Sequence, residues 1–477
     1  MKKFYITTPI YYVNDRPHIG HAYTTVAADI LARWHKQQGE EVFFLTGTDE
    51  HGAKVAEAAQ KAGQTPKEFC DQKAQDFKKA WELLNVKYDN FIRTTDQAHE
   101  AAVGQTVQVM HDKGFIYKGE YEGLYCQGCE QYLMPDDLVD GKCPDHKTEP
   151  QVMKEESYFF KLSHFGKELE KRIQENELKI EPVERKNEVL SFIRGGLKDI
   201  SISRKNVQWG IPLPFDKEQT TYVWVDAFLN YLTGIGWTPA MAAPRDAAER
   251  HFTWWPPDVQ LMAKDILRVH ATIWAGMLLA LEIPLPKKMF VHGFFTISGQ
   301  KMSKSLGNVI WPEELVRKFG ADASRYLLLS STPFGQDGDI SREKMTEKYN
   351  ADLANNLGNL VSRVFNVIEK NFDGKIEAKK MEIDIAEQME ELKFSEALEK
   401  IKEKVDWANK YIDEVKLWDL VKTDKSQAAK VLGELLGVIV AVGEGLQSFM
   451  PETAEKILAA ARAKKIQKGE GLFPRIK

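Results

Sequence analysis

The sequence predicts an α/β domain whose parallel sheet is interrupted by an inserted module and followed by an α-helical bundle. A strand, a helix and a second strand fit within the first 46 residues. From about residue 118, glycines interleave with three of the four cysteines, which indicates a separate module. Between residues 349 and 465, glycine and proline become sparse and apolar side chains recur at helical spacing.

The composition is that of a folded globular chain. Its 477 residues correspond to roughly three domains of ~100–200 residues each. Hydrophobic residues make up 43% and charged residues 28%, which excludes wholesale disorder. The net charge of −5 means that any surface for a nucleic acid must be a local basic patch. Four cysteines are too few for a disulfide framework, so we expect a reducing, cytoplasmic location.

The N-terminal segment predicts a βαβ unit. Residues 4–13 (FYITTPIYYV) are β-branched and aromatic, which favours a buried strand. Residues 14–17 are turn-forming, residues 18–37 show helical spacing, and residues 41–46 (EVFFLT) form a second short apolar strand. This order indicates a parallel sheet with covering helices.

Two later apolar segments predict that the sheet is split in sequence. Residues 221–225 (TYVWV) and 288–297 (KMFVHGFFTI) have the composition of strands and follow the inserted module. We expect no membrane partner and no signal peptide. Residues 7–9 interrupt the first apolar run, and the longest apolar stretch, residues 435–443, is shorter than the ~20 residues that a bilayer requires.

The tetrapeptide His18-Ile19-Gly20-His21 lies between the first strand and the helix. Its two imidazoles are one helical turn apart, and a helix start attracts phosphate through its N–H groups and dipole. Gly20 leaves room for a flat base against the backbone. Ligands of open α/β sheets bind beyond the carboxyl ends of the strands, where this motif falls. A helix start with surface histidines remains the alternative on these residues alone.

The pentapeptide Lys301-Met302-Ser303-Lys304-Ser305 follows the last predicted strand. Two lysines on a loop can bring ammonium groups onto a polyphosphate as charge develops on it. The alternative is a solvated basic loop, which is the usual meaning of this spacing.

Together the two motifs resemble, letter for letter, the HIGH and KMSKS signatures of the class I aminoacyl-tRNA synthetases. The resemblance implies a split Rossmann-like catalytic domain with a zinc-knuckle insertion and a C-terminal α-helical bundle. The implied division of the chain is 1–117 for the first catalytic half, 118–215 for the insertion, 216–290 for the second catalytic half, 291–348 for the KMSKS loop and stem-contact region, and 349–477 for an anticodon-binding bundle.

Four further stretches are similar to the methionyl-tRNA synthetase family: residues 8–14 (TPIYYVN), 48–52 (TDEHG), 222–227 (YVWVDA) and 264–270 (KDILRVH). The resemblance implies a methionine pocket of Ile10, Tyr12, Asp49, Trp224, Ala227, Tyr231, His270 and Ile273, with Arg204 nearby. It also implies that ATP is bound by His18, Gly20, His21, Lys301, Lys304 and Asp265.

The residue types suit such a pocket. A thioether gains ~0.3–1.5 kcal/mol from each contact with an aromatic ring, and Trp224 offers one. A substrate ammonium requires a carboxylate, and Asp49 follows a predicted strand. Each of these residues also has a simpler interpretation when it is taken alone. Trp224 could be a core aromatic, residues 49–51 could be a metal cluster or a solvated turn, and Arg204 could be a surface residue. These alternatives stay open.

The cysteines predict a zinc site. Cys126 and Cys129 form one pair, Cys143 and His146 form another, and thirteen residues separate the pairs. Four such ligands fill a tetrahedral site, which makes the zinc structural. Reduced cysteines without a metal are the alternative. Cys70 stands apart, and we expect it to be a small buried hydrophobe.

The helical region carries a candidate RNA surface. Asn359 and Arg363 are four residues apart on one predicted helix face, and Trp418 follows about 55 residues later. In the resembling family these positions read the anticodon. An exposed aromatic, an amide and a guanidinium suit single-stranded RNA. A solvated helix face and a core tryptophan are the alternatives.

The resemblance implies a methionine–tRNA ligase that forms methionyl-adenylate from methionine and ATP, with Mg²⁺, and then charges initiator and elongator tRNA. We expect a monomer, since no appended β-barrel domain follows the helical region. A ligase for isoleucine, leucine or valine requires a second hydrolytic site, because one methylene discriminates by only ~1–3 kcal/mol, and the insertion is small for that. The other rivals are a cysteine-specific enzyme and a non-catalytic RNA-binding module.

Overall fold

A computed structural model describes residues 2–129, 131–133, 138–205, 207–239, 253–302 and 307–476, without the side chains of residues 121, 122, 131, 132, 153–155 and 301. The strands are β1 (Lys3–Thr7), β2 (Tyr11–Tyr12), β3 (Glu41–Asp49), β4 (Asn90–Arg93), β5 (Ile116–Cys126), β6 (Gln131–Leu133), β7 (Gln151–Phe160), β8 (Lys179–Glu181), β9 (Ile200–Ser201), β10 (Ser203–Arg204), β11 (Thr220–Thr221), β12 (Val259–Ala263), β13 (Lys288–His292), β14 (Phe295–Ile297), β15 (Gln300–Lys301) and β16 (Gly338–Ile340).

The helices are α1 (Ile19–Gln37), α2 (Ala53–Lys61), α3 (Pro66–Leu83), α4 (Gln97–Asp112), α5 (Gly166–Gln174), α6 (Val183–Arg194), α7 (Val223–Phe228), α8 (Asn230–Thr233), α9 (Leu267–Val269), α10 (Ala275–Ala280), α11 (Pro312–Phe319), α12 (Ala321–Ser330), α13 (Arg342–Lys348), α14 (Asn359–Phe372), α15 (Ala386–Glu390), α16 (Phe394–Glu414), α17 (Leu417–Thr423), α18 (Lys425–Leu446) and α19 (Pro451–Ala461). A 3₁₀ turn spans Leu162–Phe165, and wide π-helical turns span His270–Trp274 and Tyr349–Gly358.

A parallel sheet organises the α/β part, with strand order β2-β3-β1-β12-β13-β8 and β4 beside β3. Strands β1 and β3 precede the inserted module and β12 and β13 follow it, so the predicted split of the sheet is confirmed. One strand departs from the predicted division. Strand β8 lies within residues 118–215, yet it pairs in parallel with β13 at the edge of the sheet.

The first predicted strand is divided in two. Strands β1 and β2 both pair in parallel with β3, with Thr7 opposite Leu45 and Tyr11 opposite Thr48. Pro9 lies between them and has no backbone N–H to offer a neighbouring strand. The gap places residues 8–10 at the carboxyl edge of the sheet.

The prediction of a strand at residues 221–225 is wrong. After the short strand β11, the chain forms helix α7, in which the N–H groups of Val225 and Asp226 donate to the carbonyl of Tyr222. The β-branched and aromatic side chains that suggested a strand are used instead to bury one side of a six-residue helix.

The predicted strand at residues 288–297 is interrupted at Gly293. A Cβ there would lie 2.2 Å from the carbonyl carbon of Gln336, so the two backbones meet where only glycine fits. The chain then leaves the main sheet, and β14 pairs with β15 and β16.

The inserted module is an antiparallel sheet of order β6-β5-β7-β9. Strands β5 and β7 pair along ten residues each, and β5 ends at Cys126. The two cysteine pairs therefore lie at the tip of a long two-stranded ribbon, away from its base on the main sheet.

The helical region from α13 to α19 confirms the predicted bundle. Its apolar core is continuous with that of α1 and the main sheet. Arg325, fully buried, joins the two parts: its guanidinium lies 2.6 Å from Asp29 on α1 and donates to the carbonyls of Leu84, Ser448 and Phe449. Within the described ranges, no helix is both long and apolar enough to cross a membrane.

Candidate active site and metal centre

The carboxyl ends of the parallel strands meet at one edge of the sheet. Tyr12 ends β2 and is the register partner of Asp49, which ends β3. Asp265, which is exposed, follows the end of β12, and His292 ends β13. Open parallel sheets bind their ligands at this edge, and four strands here deliver polar or aromatic side chains to it.

Helix α1 begins at the same edge with the two histidines of the first motif. The ring Nδ1 of His18 accepts the N–H of Gly20 at 3.0 Å, and Nδ1 of His21 accepts the N–H of His18 at 3.2 Å. The two rings stack with centroids 3.9 Å apart. Because both Nδ1 atoms are acceptors, the ring proton of each histidine lies on Nε2.

Both histidines are neutral at physiological pH. Burial lowers the pKa of His18 to about 4 and places the pKa of His21 well below its ordinary value. The stacked pair therefore offers two neutral N–H donors beside a helix N-terminus, which suits an oxyanion without repelling a second cation.

The two predicted signature motifs meet in space. A Cβ on Gly20 would lie 2.8 Å from the ring of His18, which is too close for a side chain, and 3.6 Å from the terminal methyl of Met302, which is an ordinary contact distance. Lys301 pairs through its backbone with Thr296, and its side chain is outside the description. Lys304 lies outside the described residues, so its role stays a prediction.

A cluster of aromatic and apolar side chains around His270, called the aromatic wall below, lies next to this edge of the sheet. Nδ1–H of His270 donates to the carbonyl of Ile266 at 2.8 Å, so its Nε2 accepts from the hydroxyl of Tyr231, also at 2.8 Å. Burial lowers the pKa of His270 to about 4, which keeps the ring neutral. His270 opens a π-helical turn, a form that recurs at functional sites. Trp224 meets the ring of His270 edge-on at 6.3 Å.

Most of the predicted pocket residues share this apolar cluster. Tyr231 and Ile273 are buried in it, and Ile10 and Trp224 pack against it half-buried. Ala227 is buried on helix α7 beside them. Tyr12 packs instead against the apolar cluster that includes α1 and the sheet.

Arg204 lies beside the wall rather than within it. Its guanidinium donates to the carbonyls of Ser201 and Ser203 and stacks 4.2 Å from the ring of Tyr222. It lines a small cavity together with His51 and Trp209. The residue is 8% exposed, which excludes the alternative of a surface arginine; its proximity to the amino-acid site stays a prediction.

Sequence patterns missed two supports of the site. Glu50, fully buried, accepts two hydrogen bonds from Arg93 at 2.7 and 2.8 Å, which anchors the turn after Asp49. The hydroxyl of Tyr5 donates to the carbonyl of Tyr231 at 2.8 Å and ties the first strand to the wall. Their hydrogen-bond partners are 43 and 226 residues away in the sequence, so no local sequence pattern could predict these two contacts.

The predicted RNA surface brings two of its three residues into contact. The guanidinium of Arg363 on α14 lies 5.8 Å from the ring of Trp418 on α17 and pairs with Asp413. Trp418 is 43% exposed, which excludes the alternative of a fully buried core tryptophan. Asn359 is exposed one helical turn before Arg363.

The metal-ligand pattern forms a compact cluster. The Sγ atoms of Cys126, Cys129 and Cys143 and a ring nitrogen of His146 all lie within 4.8 Å of one another. Cys129 Sγ is 3.3 Å from Cys143 Sγ and 3.2 Å from Nδ1 of His146. Tetrahedral zinc holds sulfur at ~2.3 Å and nitrogen at ~2.0–2.1 Å, so ligands a little under 4 Å apart surround one ion. A Cβ on Gly128 would lie 2.4 Å from the ring of His146.

Comparison with known proteins gives a consistent result. The profile of the family described as "tRNA synthetases class I (M)" matches residues 4–152 and 146–365. A methionine–tRNA ligase from Caldanaerobacter subterraneus subsp. tengcongensis is 43% identical to this chain, and the alignment covers 100% of this chain and 79% of that relative. One from Thermotoga maritima is also 43% identical, and the alignment covers 95% of this chain and 74% of that relative.

Solved structures agree with those relatives. The Mycobacterium tuberculosis methionyl-tRNA synthetase in complex with methionyl-adenylate has a TM-score of 0.91 and 36% identity, covering 100% of both chains. Its ligand-free form has a TM-score of 0.82 with 33% identity, covering 100% of this chain and 99% of that one. The fold therefore overlaps more closely with the adenylate-bound form.

Proposed function

The chain belongs to the methionine–tRNA ligases of the class I tRNA synthetase family, and from this premise we propose how its residues share the reaction. The enzyme joins methionine to ATP as methionyl-adenylate with release of pyrophosphate, and then transfers methionine to the terminal adenosine of its tRNA. The observation that supports this assignment of roles is the proximity of Gly20 and Met302, because a Cβ on Gly20 would lie 3.6 Å from the terminal methyl of Met302.

Adenylate formation requires alignment and charge stabilisation rather than a protein nucleophile. The Nε2–H groups of His18 and His21 hold the ATP phosphates, and Gly20 admits the nucleotide against the backbone. Lys301 and Lys304 neutralise the leaving pyrophosphate, with Mg²⁺ as the counter-charge on ATP, and Asp265 lies at the ribose.

Methionine occupies the space before the aromatic wall. Asp49 takes the substrate ammonium, and Trp224, Tyr12 and Tyr231 surround the thioether. The neutral ring of His270 suits an uncharged sulfur, since an imidazolium at that place would bring an unpaired buried charge. Ile10, Ala227 and Ile273 set the depth of the pocket, and Arg204 borders it.

The cysteine cluster holds one structural zinc ion through Cys126, Cys129, Cys143 and His146. The three sulfur atoms and one imidazole nitrogen match the donors that zinc prefers, and no position remains open for substrate. The ion supplies folding energy to the tip of the inserted module and takes no part in the chemistry.

The tRNA is read far from the adenylate. Trp418 stacks on an anticodon base, and Arg363 and Asn359 contact base edges. Initiator and elongator methionine tRNAs share one anticodon, so both are substrates. We expect the enzyme to act as a monomer in the cytoplasm.

Methionine-dependent exchange of labelled pyrophosphate into ATP tests this function. We expect exchange with methionine and none with isoleucine, valine or cysteine, followed by charging of methionine tRNA. Exchange that depends on another amino acid would indicate a ligase for that amino acid. Absence of exchange would indicate a non-catalytic RNA-binding protein.

A further inference from the structure

A buried network joins three segments around the proposed methionine site. The carboxylate of Asp226 accepts Nδ1–H of His51 at 2.7 Å on one oxygen and Nε2–H of His99 at 2.8 Å on the other. All three residues are at most 3% exposed. Nδ1 of His99 in turn lies 2.7 Å from the hydroxyl of Thr233. Neither histidine belongs to the HIGH or the KMSKS motif, and His51 lies in the family-like stretch 48–52.

The network joins elements that are far apart in the sequence. His51 comes two residues after Asp49 at the end of β3, and His99 lies on α4. Asp226 lies on α7, two residues after Trp224 and next to Ala227. It therefore connects the carboxylate side of the methionine site to its aromatic side.

Helix α7 depends on outside contacts for its orientation. It has six residues, and its N-cap residue, Tyr222, makes no side-chain cap. A helix this short is unstable in isolation, so tertiary contacts decide where its side chains lie. Two hydrogen bonds to one carboxylate, from two different elements, restrain the position and the rotation of α7 in addition to its buried apolar side chains.

The charge state of His51 adds an electrostatic effect. Although burial disfavours a charged ring, the Asp226 carboxylate outweighs it and raises the pKa of His51 to about 10. Nε2 lies 3.5 Å from Glu100, so both ring nitrogens face carboxylates. The titratable groups around the ring are Asp226, Glu100, Asp49, His99 beyond Asp226, and, across the small cavity, Arg204, Tyr125 and Tyr222.

A buried ion pair stabilises a fold little more than apolar side chains of the same size would. Its value lies in the position that it imposes on its partners, since each charge must keep its hydrogen bonds. Asp49 is one of the carboxylates that favour the charged ring of His51, so this cation and the carboxylate proposed for the substrate ammonium act on each other electrostatically.

We propose that His51 and Asp226 are positioning residues of the methionine site, whose ion pair locks the helix carrying Trp224 against the strand end carrying Asp49. The proposal rests on the proposed function, and it assigns these two residues to methionine binding rather than to ATP binding. Loss of the pair should loosen the pocket on two sides at once.

Three variants test the proposal in methionine-dependent pyrophosphate exchange. His51→Gln keeps a side-chain N–H donor but removes the charge, and Asp226→Asn removes the partner charge. His35→Gln is the matched control, because His35 also pairs with a carboxylate, Glu40, at 3.1 Å while buried, but at the far end of α1.

We expect the KM for methionine to rise about tenfold or more in His51→Gln and Asp226→Asn, while the KM for ATP stays within about twofold. The control should lower the melting temperature and leave both KM values unchanged. Methionine KM values of wild-type size in both folded variants would overturn the proposal.

A fourth variant covers the case in which the buried substitutions prevent folding. Glu100 is 42% exposed at its side chain, so Glu100→Gln removes the outer carboxylate of His51 without a cavity. It should raise the methionine KM about two- to threefold, and an unchanged KM would count against the proposal. A wild-type protein without any exchange would instead reject the proposed function itself.

Discussion

Replacing Gly128 by alanine should abolish tight zinc binding at the tip of the inserted module. The added Cβ would lie 2.4 Å from Cγ of His146, whereas ordinary van der Waals contact begins near 3.4 Å. The imidazole must therefore retreat by about 1 Å, and zinc sites tolerate deviations of only ~0.2 Å. His146 is then lost as the fourth ligand. Since even an outer support of a ligand is worth ~10–100-fold in metal affinity, we expect at least a ~100-fold weaker site.

Competition with a chelator, followed by elemental analysis of the protein, measures this loss. Gln127→Ala, an exposed neighbour, is the local control, and Gly104→Ala, with open space around its Cβ, controls for a glycine-to-alanine change. The double variant Gly128→Ala/His146→Ala should bind zinc no more weakly than His146→Ala alone, because both changes remove the same ligand. A Gly128→Ala protein that retains zinc as firmly as the wild type would refute the reasoning.

Four further outcomes are expected. Lys304→Ala should slow adenylate formation by ~2.7–4 kcal/mol of transition-state stabilisation with little change in methionine binding; an unchanged single-turnover rate would indicate a solvated turn. Trp418→Ala should weaken tRNA charging by ~1–3 kcal/mol and leave pyrophosphate exchange and the melting temperature nearly unchanged, because the ring is 43% exposed; normal charging would reject the anticodon role. Arg325→Met should lower the free energy of unfolding, measured by urea titration, by ~3–5 kcal/mol. We expect a value near the lower limit of this range, because Asp29 keeps Arg33 as a partner. The free energy of unfolding of the wild type should fall as pH rises from about 6.5 to about 10, because the folded state holds the His51 proton more tightly than the unfolded state does. Urea titrations of His51→Gln should show a smaller change in unfolding free energy over the same pH range.

Local sequence patterns correctly predicted those elements that depend on residues close to one another in the sequence. The first βαβ unit, the bundle and the cysteine pairs follow from periodicity and spacing, and the structure confirms them. Residues 221–225 misled because valine and tryptophan favour strands only where a neighbouring strand is available, and here the chain turns into α7. The break at Gly293 depends on the approach of residue 336, which no local pattern reports.

The candidate site divides in the same way. The stacked histidines of α1 are three residues apart, so helical geometry alone places them together. The partnership of His51 with Asp226 spans 175 residues and exists only after the sheet has brought β3 and α7 together. Met302 and Gly20, which lie near each other, are also far apart in sequence, and only the family resemblance suggested that their two motifs act together.

Arg325 bears on whether this polypeptide can be divided into independent pieces. Its guanidinium is satisfied by Asp29 and Leu84 on one side and by Ser448 and Phe449 on the other. A fragment ending before the bundle would keep the cation but lose two of its acceptors, and it would expose the apolar face that α12 shares with α16 and α19. Attempts to express the catalytic half alone should therefore yield insoluble protein, whereas a nicked chain whose halves stay associated should remain folded.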